Sequence, residues 1–168
     1  MKNKIALSCT ISGDSIDKFS FGLDEQDEEC ISIKLNLMQT LCKFIGQGIN
    51  VFYINCEFGV PLWSAEILTD LKKTYKIEVN IVIPFEEQAT KWTSNWRDRY
   101  YRVHSLADNV TLINYHCKPN SNIEADTYMI DNSHYLIYIG KNLNSFICKY
   151  AYKRRNLITI LKPYKSLY

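Results

Sequence analysis

The chain has 168 residues, of which 46% are hydrophobic and 23% are charged, and its formal net charge is +2. This composition excludes wholesale disorder, and the length suits one domain, residues 1–168, with a single core. The small net charge gives no reason to expect nucleic acid or an acidic membrane surface as a partner. No apolar run approaches the roughly 18 residues of a membrane span, and residues 5–7 are too short for a signal-peptide core, so a cytoplasmic location is expected.

Short apolar runs rich in β-branched residues alternate with helical stretches along the whole chain. This alternation predicts an α/β, three-layer Rossmann-like domain, in which helices cover both faces of a mostly parallel sheet. Several of the runs are almost continuously apolar, as strands with two dry faces require. The predicted strands are residues 4–9, 50–54, 78–83, 109–115, 134–139 and 157–161.

Five helices are predicted between these strands, over about residues 26–45, from Pro61 onward, and over about 86–107, 123–130 and 145–155. Acidic residues crowd the start of the first helix, where carboxylates favour the positive end of the helix dipole. Helical spacing gives each of the first two helices a predicted buried stripe. The stripes are Ile31, Leu35, Met38, Leu41, Cys42 and Ile45 in the first helix, and Ala65, Leu68, Leu71 and Tyr75 in the second.

The third predicted helix mixes aromatic and basic residues, as platforms for single-stranded nucleic acid do. Its aromatic residues share one side, however, and its arginines lie largely on others, so core packing is the favoured interpretation and nucleic acid is not expected. The shared side holds Trp92, Trp96, Tyr100 and Val103.

The six cysteines form no CxxC pair, and the chain lacks the size and cysteine density of a disulfide scaffold. They are therefore expected to be small buried hydrophobic residues. Cys9 and Cys56 lie at the ends of two predicted strands, and if these strands are neighbours a reactive pair is the less favoured alternative. His116, Cys117 and His134 lack zinc-like spacing, and no metal is expected.

In a doubly wound sheet, ligands bind beyond the carboxyl ends of the strands, where helix N-termini point free N–H groups at one crevice. The turn from Asn55 to Trp63 is the most informative of these segments because it places Gly59 at a bend just before a helix. Two interpretations stay open. The turn either binds an anion or a nucleotide through its N–H groups, or Gly59 only allows a turn while Trp63 fills the core.

Several separated motifs, in the same order, resemble the YspA/YpsA-like branch of the SLOG superfamily, whose relatives include DprA and the LOG proteins. The stretch from Gly59 to Glu66 is similar to the family's Gly-Val-Asp-x-Trp-Ala-Ala-Glu motif, and Pro84 to Gln88, followed by Trp92, resembles its Pro-Phe-x-x-Gln…Trp motif. The stretch from Tyr128 to Ser133 is similar to its Tyr-Met-Val-Asp-x-Ser motif. The resemblance implies a pocket lined or supported by Thr10, Gly59, Trp63, Glu66, Pro84, Phe85, Gln88 and Asp131.

The chain departs from the family pattern where phosphate would bind. Asn55-Cys56 replaces a Ser-Gly pair and Pro61 replaces Asp. After Thr10 the sequence Ile-Ser-Gly-Asp replaces Gly-His-Arg-Pro, and Leu143-Asn144-Ser145 stands for Gly-Gly-Thr. A side chain in place of glycine obstructs the close approach of a phosphate, and Pro61 removes an N–H donor.

Three functional hypotheses follow. The leading one is a non-enzymatic domain that binds or senses a nucleotide or an ADP-ribose-type ligand and requires no cofactor. In this hypothesis Trp63 or Phe85 stacks on the base of the ligand, and Glu66 accepts hydrogen bonds from it. It depends on the turn at Gly59 presenting free amides to an open cavity. The alternatives are a LOG-like N-glycosidic or phosphoribosyl hydrolase with Glu66 as acid/base, and a protein-interaction domain that has lost its ligand. No membrane partner is expected, and a homo-oligomer stays open.

Overall fold

The computed structural model describes residues 6–163. Six parallel strands form one sheet in the order β4-β3-β2-β1-β5-β6. The strands are β1 (Leu7–Gly13), β2 (Ile49–Ile54), β3 (Glu78–Ile83), β4 (Asn109–Leu112), β5 (Tyr135–Ile139) and β6 (Leu157–Leu161). The predicted Rossmann-like α/β architecture is confirmed.

Five helices connect the strands: α1 (Glu28–Gly46), α2 (Val60–Leu71), α3 (Ser94–Leu106), α4 (Ser121–Asp131) and α5 (Phe146–Lys153). One turn of 3-10 helix, Ile16–Lys18, lies between β1 and α1. Helices α1, α2 and α3 bury their apolar residues against one face of the sheet, and α4 and α5 cover the other face. The chain therefore has the three layers that continuously apolar strands require.

Two predicted boundaries are wrong in ways that affect the site. Strand β1 ends at Gly13 and not at residue 9, so Thr10 lies inside the strand; residues 4 and 5 of the predicted strand are outside the described part. Helix α3 begins at Ser94, because residues 86–93 form turns in place of the predicted first helical turns. Among the helices of residues 6–163, none combines the length and hydropathy that crossing a bilayer needs.

The predicted buried stripe of α1 is also wrong in part. The helix buries Cys30, Ile33, Leu37, Leu41 and Phe44, whereas Ile31, Leu35 and Met38 are 40%, 50% and 40% exposed. Both sets have helical spacing, so periodicity alone could not tell which of them faces the sheet. On the neighbouring helix, Ala65 and Leu68 are buried as predicted, but Tyr75 lies beyond the end of α2 and is exposed.

Candidate functional site

The strand order reverses between β1 and β5, whose carboxyl ends lie side by side. Strands β2 to β4 extend the sheet on one side of β1, and β5 and β6 extend it on the other. In open parallel sheets this reversal opens the crevice where ligands bind. The loops that follow β1, β2 and β5 therefore define the first candidate site.

The turn that leads into α2 is closed by the chain itself. Gly59 has a φ of +94°, and a Cβ placed there would lie 2.9 Å from Cβ of Ile16. The four residues that follow are buried, and Trp63 is 1% exposed. The amides of Leu62 and Trp63 donate to the carbonyls of Glu57 and Gly59, at 3.1 Å each. These contacts give no support to the expectation that this turn presents free amides to an open cavity, because Ile16 covers the bend and the helix packs in the core.

An internal carboxylate occupies the loop after β5. Asp14 accepts hydrogen bonds from the backbone N–H groups of Lys141 and Asn142, at 2.8 and 3.3 Å, and from the hydroxyl of Tyr138 at 2.6 Å. Gly140 has a φ of +141°, and a Cβ there would overlap the Asp14 side chain. Backbone amides just before a helix are a common site for phosphate. Here the anion they bind is the chain's own Asp14.

Glu66 is held by an arginine on the neighbouring helix. Arg99 donates from Nε and Nη2 to the two carboxylate oxygens of Glu66, at 2.7 and 2.6 Å, and from Nη1 to Glu25 at 2.5 Å. The guanidinium also lies 4.4 Å above the ring of Trp96. A bidentate pair with arginine places a charge-assisted hydrogen bond on each oxygen of the carboxylate and favours its ionised form. The geometry therefore gives no support to Glu66 as a proton donor.

Thr10 and Asp131 lie away from the carboxyl edge of the sheet. Thr10 is fully buried in β1, where its hydroxyl contacts the carbonyl of Met129 at 3.1 Å and Ser133 Oγ at 2.7 Å. Asp131 ends α4 just before β5 starts, and it binds Tyr150 and Arg154 at 2.9 Å each. A helix antiparallel to the strands ends at their amino edge, so Asp131 is on the side opposite the ligand loops.

Phe85 and Gln88 line a second candidate site. It is a cavity of ≈ 530 Å³, which is in the size class of small-molecule pockets. It lies after β3 and is lined by Phe85, Glu87, Gln88, Thr90, Lys91, Trp92 and Cys117. Gln88 is fixed at both ends, since its Nε2 donates to the carbonyl of Asn55 and its Oε1 accepts from the Tyr100 hydroxyl. Pro84 is buried behind the cavity, and its carbonyl accepts from Asn114.

Trp92 gives this cavity an aromatic wall that packs on other rings. The ring of Trp92 makes edge contacts with Phe58 and Tyr100, at centroid distances of 5.5 and 5.3 Å. Lys91 and Cys117 are exposed at its rim. Sequence reasoning linked Phe85, Gln88 and Trp92 through one motif, but it missed Lys91 and Cys117. Cys117 comes from the loop after β4, and only the pairing of β3 with β4 brings that loop to the cavity.

Comparison with known proteins agrees with the fold. A family model described as the YspA SLOG family matches residues 11–165. The chain belongs to this family. One relative is a UPF0398 protein of Macrococcus caseolyticus, which is 37% identical over 79 residues; the match covers 47% of this chain and 43% of the relative. Another is the UPF0398 protein YpsA of Bacillus subtilis, which is 32% identical over 92 residues; this match covers 54% of this chain and 51% of the relative. A UPF0398 protein of Brevibacillus brevis is 27% identical over 140 residues (78% and 73%). The matches span about half the length of the first two relatives.

In this YspA SLOG chain, two carboxylates that follow β2 and lie on α4 have raised pKa values. Burial raises the pKa of Glu57, which follows β2, and burial together with the charge of Glu57 raises the pKa of Asp126 on α4 to about 7. No group of His, Cys, Asp and Glu residues suited to a metal ion occurs within residues 6–163.

The cysteines follow the buried-thiol interpretation at most positions. Cys9, Cys30, Cys56 and Cys148 are buried, Cys42 is half-buried, Cys117 is exposed, and none of the six is in a disulfide. Burial raises the pKa of the Cys9 and Cys56 thiols far above neutrality, so these residues are protonated and poor nucleophiles.

Proposed function

We propose that this YspA SLOG chain is a non-catalytic binding domain for a ligand with a flat aromatic ring, such as a nucleobase or nucleoside. The ligand binds in the cavity after β3 and is not anchored through phosphates. One observation carries the proposal: Phe85, Gln88 and Trp92, which belong to one family motif, line the same cavity. It is a revised form of the nucleotide-sensing hypothesis, whose phosphate-binding part the closed loops no longer support.

The cavity has the features that aromatic ligands need. Phe85 is half-buried and Trp92 is held by two aromatic neighbours, so both can offer ring surface without a large loss of side-chain freedom. Stacking on an aromatic side chain is worth about 1–3 kcal/mol per base. Lys91 and Thr90 at the rim supply polar contacts to substituents of the ring.

Phosphate anchoring is disfavoured at two positions. Ile16 covers the turn at Gly59, and Asp14 already satisfies the amides of Lys141 and Asn142. Adding a phosphate to a ligand should therefore bring little affinity from either loop. This separates the proposal from ordinary dinucleotide binding, in which the pyrophosphate lies at a helix N-terminus.

Thermal unfolding with nucleosides, the matching nucleotides, dinucleotides and ADP-ribose tests the proposal. A bound nucleoside at 100 times its dissociation constant should stabilise the protein by about 2.7 kcal/mol. The variant Phe85→Ala should lose this response, whereas Phe146→Ala, which removes a half-exposed ring from α5, should keep it.

Two results would contradict the proposal. One is a flat response across the panel. The other is nucleotides binding more than about tenfold more tightly than their nucleosides, a difference of 1.4 kcal/mol that would assign the affinity to a phosphate site. Release of free base from nucleoside monophosphates, lost in Glu66→Gln, would instead support the LOG-like hydrolase.

A further inference from the structure

Helix α1 presents a row of apolar side chains to solvent. Ile31, Leu35 and Met38 follow one another at intervals of four and three residues, which places them on one face of the helix. Each is at least 40% exposed, and Ile31 and Leu35 border a shallow depression of ≈ 570 Å³ with Glu28, Ser32 and Gln39. Isolated exposed apolar residues are common in monomers, whereas contiguous exposed apolar side chains are a feature of interaction surfaces.

We propose that this face of α1, defined by Ile31, Leu35 and Met38, binds the same face of a second copy of this chain, with the two helices antiparallel. The proposal is independent of the cavity after β3. Leu35 lies at the centre of the row, so a two-fold axis passes beside it and Leu35 meets its equivalent in the partner. An isologous contact of this kind closes on itself and gives a dimer.

The distribution of charge favours the antiparallel arrangement. Asp24 and Glu28 are exposed at the start of the helix, and Lys43 is exposed in its last turn. None of these three makes an ion pair within residues 6–163. Rotation about an axis at Leu35 brings Glu28 of one copy opposite Lys43 of the other. A parallel arrangement would place like charges together, and it would also align the two helix dipoles unfavourably.

The size of the face predicts a weak, concentration-dependent dimer. A contact along the whole of α1, nineteen residues or about 28 Å, with a strip about 10 Å wide would cover at most about 280 Å² per copy. This is well below the roughly 800 Å² per partner of a standard stable interface. Monomer and dimer should therefore exchange, with the dimer gaining population as the concentration rises.

Sedimentation velocity of the full chain over a range of concentrations tests the proposal. The wild type should show a monomer–dimer equilibrium. Leu35→Glu should raise the dissociation constant of the dimer at least tenfold. Leu143→Glu is the matched control: this leucine is 48% exposed in the loop before α5, and its replacement should leave the equilibrium unchanged. Because both leucines are about half exposed, far-UV circular dichroism should show all three proteins folded.

A charge exchange tests the orientation. Glu28→Lys alone and Lys43→Glu alone should each weaken the dimer, because each places like charges opposite one another. An equimolar mixture of the two variants should restore it, since only the mixed pair carries two opposite-charge contacts. A wild type that stays monomeric at every concentration, an unchanged equilibrium in Leu35→Glu, or a mixture that stays as weak as its components would overturn the proposal.

Discussion

Replacement of Asp14 by alanine should destabilise the protein and open an anion site. The carboxylate accepts three hydrogen bonds, and the cost of losing it depends on which donors water can reach. Lys141 and Asn142 are exposed, so water can satisfy their amides, but Tyr138 is 2% exposed. A buried donor left without its acceptor costs about 1–3 kcal/mol, and hydrogen bonds to a charged acceptor are at the upper end of this range. Because the Tyr138 hydroxyl would lose such an acceptor, we expect a loss of about 2–3 kcal/mol in the free energy of unfolding.

Phosphate should then restore part of the loss. In Asp14→Ala the freed amides before α5 can bind an anion, and phosphate at ten times its dissociation constant stabilises by about 1.4 kcal/mol. Urea unfolding in phosphate and in chloride at equal ionic strength measures this gain. The wild type in the same buffers corrects for the general effect of phosphate salts on stability.

Asp17→Ala serves as the control for removing a charge from the same segment, because Asp17 and its ion-pair partner Lys18 are both exposed. It should change stability by less than about 0.5 kcal/mol. The reasoning is refuted if Asp14→Ala is no less stable than this control. It also fails if phosphate stabilises the wild type as much as the variant, since the amides would then be open already.

Three further predictions concern stability. Gly59→Ala should lower the free energy of unfolding by more than about 2 kcal/mol in urea, because alanine is strained at a φ of +94° and its Cβ meets Ile16. Adding Ile16→Ala should recover only the part of this loss that comes from the clash with Ile16. Full recovery would argue against backbone strain. Arg99→Met should be less stable than the wild type at pH 7 but not at pH 3. Burial would raise the pKa of Glu25, yet hydrogen bonds from Arg99 and Lys34 outweigh burial and the pKa is lowered. The part of this stabilisation that Arg99 supplies is therefore present above the ordinary glutamate pKa and is lost as the pH falls. Asp126→Asn should gain stability relative to the wild type as the pH rises from about 4 to about 7. The pKa of Asp126 is raised in the folded protein, so the wild type must bury a carboxylate charge over this range. Parallel profiles of stability against pH for the two proteins would refute this.

The architecture was predictable because it depends on local patterns. Continuous apolar runs with turn residues between them give the number of strands and their parallel arrangement, and β3 and β6 begin and end where expected. The start of α3 was not predictable from apolar spacing, since Trp92 has the same spacing from Trp96 whether it lies in the helix or in the turn before it. In the structure Trp92 packs on Phe58, which is far away in sequence.

The state of the candidate site was only partly predictable. The departures from the family pattern indicated that phosphate binding was compromised. They indicated this through positions where another residue replaces glycine, and they did not predict that Asp14 binds the backbone amides. Its role depends on two loops more than 120 residues apart meeting at the carboxyl edge. The covering of Gly59 by Ile16 is likewise a tertiary contact for which the sequence carries no periodic signal.

The position of β1 in the sheet has a consequence for the order of folding. Its two neighbours are formed from very different parts of the chain: β2 follows closely, but Cys9 pairs with Tyr135, a separation of 126 residues. During synthesis, β1 to β4 can associate first, and one edge of β1 then stays unpaired until β5 has emerged. An apolar strand with an open edge is a template for pairing with other chains. The newly made protein should therefore be most prone to aggregation just before its last two strands are complete, and a chain cut before β5 should keep that hazard permanently.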